Sequence, residues 1–380
     1  MDVIVVGAGV IGAAVAFRLA QAGARVTVLE SAARIGAGTS GRSFAWTNSN
    51  AKTPRAYHDL NVAGMQAHAA LVGEFGSTPW WHGGGNLDWR ATESARAELA
   101  ERVERLQAWA YEVEWVTPAR LHELEPDIDL NTVGDAPVAF YPLEGWLDSI
   151  VYVHAMLRAA AVHGAVVRTR AHVEQVLVDG GQARGVVLRG GQKVEANWVV
   201  NCAGRWADML AVVDMPWLRV PLAPTLGLLV FTPPVASGLQ RVVHAPSINM
   251  RPDGAGRLML HADDIDDVLT PEADPGVGSP LVQEMLARAA TVLPAIGQVD
   301  AEAVRLGIRA IPSDGLSAVG AMPRMDGYYV VVTHSGVTLS PFLARAVAAE
   351  IVKESREEQL EPFRPGRLLD ADVLRTGSKS

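Results

Sequence analysis

The chain has 380 residues, 49% hydrophobic and 20% charged, enough for a large core and better suited to two interwoven domains than to one. Its net charge of -9, with no run of lysines or arginines, excludes a phosphate-backbone partner, so nucleic acid is not expected. A single cysteine, Cys202, excludes an intramolecular disulfide framework and a cysteine-rich metal site, and fits a reducing cytoplasm.

The apolar opening MDVIVVGAGVIGAAVAF has no basic leader, is punctuated by three glycines and runs directly into Arg18, so it reads as folded structure rather than a signal peptide. No later stretch approaches the roughly 18 apolar residues of a membrane helix, and no integral membrane segment is expected. Residues 2–6 are a β-branched run of the kind buried in a parallel sheet, followed at once by Gly7, Ala8, Gly9, Val10, Ile11 and Gly12. A helical segment then ends at Gly23, and ARVTVLE is a second strand closing on Glu30.

Each part of that unit has a task in holding a dinucleotide. Gly7 permits the tight turn, Gly9 lets backbone approach a pyrophosphate, and Gly12 lets the helix pack closely on the sheet. The helix start at Val10 and Ile11 offers unpaired N–H groups and a positive dipole end to phosphates. Glu30 accepts hydrogen bonds from ribose hydroxyls. A purely structural glycine-rich turn is the plain alternative, and the fingerprint does not choose between NAD and FAD. The next stretch, SAARIGAGTSGRSFAW, is a loop of glycines and hydroxyls that can wrap a long cofactor, or serve as a flexible surface loop.

Further along, Trp46, His58, Trp80, Trp81 and His82 lie in segments that can border a pocket. Paired tryptophans are more often core, although Trp80, Trp81 and His82 followed by three glycines can also form a lid or part of an aromatic amine cage. ESARAELAERVERLQAWAYE is an amphipathic surface helix. SIVYVHAMLRAAAVHG is a helix, and AVVRTRAHVEQVLVDGGQARGVVLRGGQKVEA alternates like strands with glycine turns. PLAPTLGLLVFTPP and INMRPDGAGRLMLHA read as sheet strands. There is no internal repeat, and the tail after Pro365 is expected to fray.

Four segments together carry a family resemblance. The glycine fingerprint with Glu30 and GAGTSGRS resembles the D-amino-acid oxidase, glycine oxidase and sarcosine oxidase superfamily of FAD enzymes. WVVNCAGRWADML (198–210) is similar to its "NAAG.W" strand and turn. GIRAIPSDGLSAVG (307–320) resembles "G.RP...DG.P.iG", and VVVTHSGVTLSP (330–341) resembles its last strand-to-helix turn. The four matches come in the family's order and span most of the chain.

The resemblance implies an α/β (α+β) fold in which a Rossmann-like FAD-binding domain (1–80, 148–220 and 305–365) interleaves with a mixed or antiparallel-sheet substrate domain (81–147 and 221–304), leaving a tail at 366–380. It implies FAD held by Gly7, Gly9, Val10, Ile11, Gly12, Glu30, Ser31, Ser40, Gly41, Arg42, Ser43, Val173 beside the adenine, Ala203, Gly204, Trp206, Gly336, Val337 and Thr338. It also implies oxidation of the C–N bond of an amino acid or amine by hydride transfer to flavin N5, giving an imine that hydrolyses. Oxygen, forming hydrogen peroxide, or another acceptor reoxidises the flavin. Arg309 matches a carboxylate-binding arginine. His334, ending a strand, either touches substrate or flavin or is only packed, and the helix at 338–352 aims its N-terminus at the flavin's pyrimidine edge.

Departures matter as much. Sarcosine oxidases attach flavin through a cysteine near the GIRAIP segment, where this chain has Gly307, so FAD is expected to be non-covalent. Their oxygen-activating lysine falls at or near Met259, with His261 a nearby alternative charge, so oxidase and dehydrogenase both stay open. The family's proline after the arginine is Ala310, and the extra residues that bring glycine oxidase a second arginine are missing from HSGVTL. The competing readings are an FAD-dependent 2-hydroxy-acid enzyme, a non-catalytic FAD-binding subunit and an NAD-dependent dehydrogenase.

Overall fold

The computed structural model describes residues 1–212, 222–223, 225–270 and 272–369. One sheet among them has six strands, in the order Ala318–Ala321, Tyr328–Val332, Trp198–Asn201, Asp2–Val6, Arg25–Leu29 and Val166–Arg168. All pairings are parallel except that of Ala318–Ala321 with Tyr328–Val332. Asp2–Val6 lies inside this sheet, and Val3, Ile4 and Val5 are almost inaccessible, which explains the unbroken β-branched run.

Three helices cover one face. Val10–Gln21 packs on Ser149–Val162 and on Gly336–Val352, with Val10–Phe17 buried throughout. The C-terminal helix begins at Gly336, two residues earlier than 338, so Gly336, Val337 and Thr338 form its first turn. Arg55–Phe75 crosses it at Gly64, where a Cβ would stand 2.6 Å from the Thr338 carbonyl oxygen.

A second sheet has eight strands, in the order Ala303–Ile308, Leu226–Phe231, Leu258–His261, Ile248–Pro252, Val242–Ala245, Asn86–Asp88, Val138–Tyr141 and Glu114–Val116. Its pairings are antiparallel except the parallel one between Val242–Ala245 and Asn86–Asp88. Each sheet thus draws strands from stretches far apart in the chain. A small third sheet joins Trp46–Thr47, Gly145–Leu147 and Trp81–His82. The charged helix Glu93–Ala108 buries only Leu99, Val103 and Leu106, with Thr92 accepting from Ala95 N at its N-cap.

Trp80–His82 forms packing structure rather than a lid: Trp80 is buried, Trp81 stacks on His68 at 5.0 Å and His82 on Trp146 at 3.7 Å. The chain does not fray at Pro365. Pro365–Leu368 makes a 3-10 turn in which Arg367 pairs with Asp314 at 2.7 Å. Residues 370–380 of the expected tail lie outside the described residues, as do 213–220 at the expected boundary and Pro221 and Pro224 of the PLAPTLGLLVF segment.

Candidate active site

A cavity of about 940 Å³ lies where the two sheets meet. On the first sheet it opens beyond the carboxyl ends of parallel strands, at Gly7, Glu30, Cys202 and Thr333, the place where such sheets bind ligands. Gly7, Gly9, Val10, Ile11, Glu30, Ser31, Ser40, Arg42, Ser43, Val173, Ala203, Gly204, Trp206, Gly336, Val337 and Thr338 all line it, as do Arg309 and His334. Gly12 and Gly41 do not. A Cβ on Gly12 would stand 2.0 Å from the Gly7 carbonyl oxygen, so hydrogen there lets the helix start against the turn; one on Gly41 would stand 2.7 Å from Gly36 O.

The glycine turn is a backbone cradle. Gly7 has φ +100°, and no side chain caps the helix start at Gly9. Val10 N donates to Ser40 Oγ at 3.0 Å, which ties the wrapping loop to the fingerprint. That loop is docked on the second sheet: Thr39 Oγ1 donates to Ile308 O at 2.7 Å and Arg305 Nη1 to Gly41 O at 3.0 Å. Glu30 sits at the expected place, and its two carboxylate oxygens accept from Ala8 N at 2.9 Å and Ala32 N at 2.8 Å.

Several groups around this wall are not satisfied by protein partners. Trp206 and Met209 line the cavity while 49% and 64% exposed, Arg205 has Nε buried without a hydrogen-bond partner and Nη1 only in a loose pair with Asp208 at 3.6 Å, and Asn48 Oδ1 is orphaned. Unfilled donors, an orphan acceptor and bare apolar surface fit a large amphipathic cofactor such as FAD. Gly307 abuts the loop, since a Cβ there would meet Arg42 O at 2.6 Å. Cys202 is buried, and burial pushes its thiol pKa up, so it is no nucleophile.

The opposite wall is made of side chains. Asp88, His244, Asn249 and His261 are successive cross-strand partners and form one row across the eight-stranded sheet, all lining the cavity. Asp88 is shared by Arg90 at 2.9 Å and Arg102 at 3.1 Å, both also at the cavity. Asn249 Nδ2 lies 3.1 Å from His261 Nδ1, and His261 Nε2 lies 2.7 Å from Asp266 Oδ2 and 3.0 Å from Arg309 Nη2. His261 is therefore engaged by Asn249, Asp266 and Arg309 together. Met259 is buried, its sulfur accepting from Arg251.

Arg309 donates from Nη2 to Asp266 Oδ2 at 2.5 Å, and its guanidinium lies over Gly227, where a Cβ would come within 3.1 Å. Among the described residues Nε and Nη1 have no partner. His334 lines this cavity and is exposed. The protein packed around it, with the charges of Lys52 and Arg309, lowers its pKa to about 3, so it is a neutral imidazole. The turn carrying it is braced, with Ser335 N donating to Thr333 Oγ1 and Tyr57 Oη 2.8 Å from Ser335 Oγ. His68 Nε2 donates to Val337 O at 2.8 Å.

Sequence reasoning missed the organiser of this wall. Glu144, fully buried, accepts from Ser49 N, Asn50 N, Asn50 Nδ2, Asn86 Nδ2, Trp46 Nε1 and Tyr111 Oη. Burial pushes its carboxyl up to about 7 against the pull of those bonds. Asn86 Oδ1 in turn accepts from His244 Nδ1 at 2.7 Å. Trp46, the one residue of the early aromatic group at the cavity, and His244 are thus held from behind by one carboxylate. His58 is not at the cavity; it is buried against Ser49. No local motif marks Glu144. The row across the sheet had a signal only in its strands, since the segments holding INMRP and LMLH read as sheet strands.

A family model described as FAD dependent oxidoreductase matches residues 2–350. Glycine oxidase from Geobacillus kaustophilus is 27% identical over 372 residues, 95% of this chain and 96% of its own. Its crystal structure superposes with a TM-score of 0.83 at 26% identity, covering 96% and 97% of the two chains. L-proline dehydrogenase from P. horikoshii, at 19% identity and TM-score 0.82 over 96% and 97%, shares the fold. A match across nearly the whole chain, on a cavity built by the glycine turn and the arginine wall, decides the family: this chain belongs to the FAD dependent oxidoreductases.

Proposed function

We propose that the chain oxidises the carbon–nitrogen bond of an amino acid or related amine, with its FAD held non-covalently. The observation that carries this reading is Arg309, a cavity-wall guanidinium anchored by Nη2 to Asp266 with Nε and Nη1 free to hold a carboxylate. The names of the relatives, glycine oxidase and L-proline dehydrogenase, point to the same substrate class.

FAD, when bound, takes the hydride from the substrate carbon that bears nitrogen. The protein's part is placement. Arg309 fixes the carboxylate end and so restricts which hydrogen is presented. His334, neutral, accepts or donates a hydrogen bond without repelling or protonating the amine. The first turn at Gly336, Val337 and Thr338 puts unpaired N–H groups and a positive dipole end at the cavity, where negative charge is favoured. Phe44, Trp46 and Leu229 line the chamber and exclude water. The released imine hydrolyses to an oxo product. Two large sheets that each draw strands from distant stretches support an interleaved FAD-binding and substrate domain, and a reducing cytoplasm suits the buried thiol.

Anaerobic mixing of the purified protein with D-, L- and N-methyl amino acids and matched 2-hydroxy acids tests the reading. Loss of the 450 nm absorbance with amines and not with hydroxy acids is expected; bleaching by hydroxy acids alone overturns it. Colour return on admission of air separates oxidase from dehydrogenase. Flavin released into the supernatant after acid precipitation checks the non-covalent attachment.

A further inference from the structure

Once Arg309 is assigned to one carboxylate, a second cation in the same cavity has no anion. Lys52 lines the cavity, and among the described residues no carboxylate pairs with its ammonium. It is half-buried and extends from a fixed turn. Ser49 N and Asn50 N donate to Glu144 Oε1 at 3.2 and 3.1 Å, Asn50 Nδ2 donates to Oε2 at 3.0 Å, and Lys52 N donates to Ser49 O at 3.3 Å. Ser49 is pinned from its other side by His58. A fully buried carboxylate thus spends three of its bonds on holding the turn that presents this lysine.

Lys52, Arg309 and His334 line the same cavity, so both cations belong to the chamber that His334 borders. The rest of the wall does not neutralise them. Asp88 is divided between Arg90 and Arg102, Asp266 is taken by Arg309, and Asp263 is exposed and bound to Asn249. An ammonium enclosed with substrate is costly unless an anion meets it.

We infer that the preferred substrate is an amine bearing two carboxylates, an N-(carboxyalkyl) amino acid or an acidic amino acid, with Arg309 holding one carboxylate and Lys52 the other. This rests on the amine-oxidising reading above. A second acidic group meets a cation already positioned, so the selectivity requires no movement of the wall.

The test compares matched pairs on the flavin-loaded protein under anaerobic conditions: N-(carboxymethyl)alanine against N-ethylalanine, and glutamate against norvaline. Each diacid is expected to reduce the flavin at least about tenfold more efficiently than its partner, and Lys52→Met to collapse that ratio toward one, with Lys52→Arg restoring most of it. Redox-inert thiodiacetate against (methylthio)acetate, followed by perturbation of flavin absorbance, reads binding alone and should show the same preference and the same loss. If no amine bleaches the flavin, the amine reading fails, and the thiodiacetate titration still judges Lys52. Equal efficiency within each pair, or a Lys52→Met variant that shifts flavin content or absorbance while leaving the ratios unmoved, overturns the inference and assigns the lysine to the cofactor.

Discussion

On the six-stranded sheet the cavity wall is mainly backbone, made by Gly7, Gly9, the first turn at Val10 and Ile11, and the turn at Ala203 and Gly204, each within a few residues of a strand end. On the eight-stranded sheet it is side chain, with Asp88, His244, Asn249 and His261 brought into one row from positions up to 173 residues apart. Backbone recognition requires glycines at fixed spacing and so writes a motif. Side-chain recognition requires only that register bring the right atoms together, and leaves almost no local trace. In the proposed reading the first wall serves the cofactor and tolerates little change, while the second can be rewritten for a new substrate without touching the first.

Variants can break this contrast, and the largest effect belongs to the backbone wall. Gly12→Val places its side chain against Gly7 O, so the protein is expected to lose essentially all flavin or fail to fold. The absorbance ratio at 450 and 280 nm with far-ultraviolet circular dichroism reads both. Arg309→Met is expected to keep flavin content and lower kcat/KM by about 100-fold or more, the loss of a charge-assisted contact to the substrate carboxylate. A variant that loses flavin as well would mean that the two walls are not separable.

Glu144→Ala removes the shared acceptor of six donors and is expected to destabilise the fold by about 3 kcal/mol in denaturant unfolding. The same carboxyl predicts a pH dependence. Its folded pKa of about 7 lies above the ordinary 4.5, so its favourable contribution is complete below pH 4.5 and is lost as pH rises through 7. Glu144→Gln should flatten that part of the stability profile.

Because His334 stays neutral down to about pH 3, the acid limb of kcat/KM should follow the substrate amine and move with its pKa across a substrate series. His334→Gln should lower kcat/KM by roughly tenfold and keep the shape of the profile. A limb fixed for every substrate would show that a protein group sets it. The smallest effect sharpens the comparison from outside both walls: Thr92→Ala removes the N-cap bond to Ala95 N, and should cost about 1 kcal/mol with flavin content and turnover unchanged.

The strand, glycine turn, helix and acidic strand end were legible because each element is short and its chemistry is local. The charged helix at Glu93–Ala108 was legible through periodicity, and the hairpin strands Ile248–Pro252 and Leu258–His261 through the proline and glycine turn between them. Trp80–His82 was open to a functional reading because aromatic residues beside glycines mark a lid as readily as a sheet edge; stacking on His68 and Trp146 decided for the sheet. Arg309 was found through its motif, but its anchoring by Asp266, 43 residues away, was not.

The sequence by itself determined the dinucleotide cradle, the class of fold and the arginine that faces the cavity, because these depend on backbone freedom and on spacing within single segments. Only the tertiary structure decided that Glu144 stands behind Trp46, His244 and the Lys52 turn, that His261 is engaged by Asp266, Arg309 and Asn249, and that among the described residues Lys52 has no paired carboxylate. Those facts are set by strand register and burial across distant stretches, and a buried charge acquires its meaning from what surrounds it rather than from its neighbours in the chain.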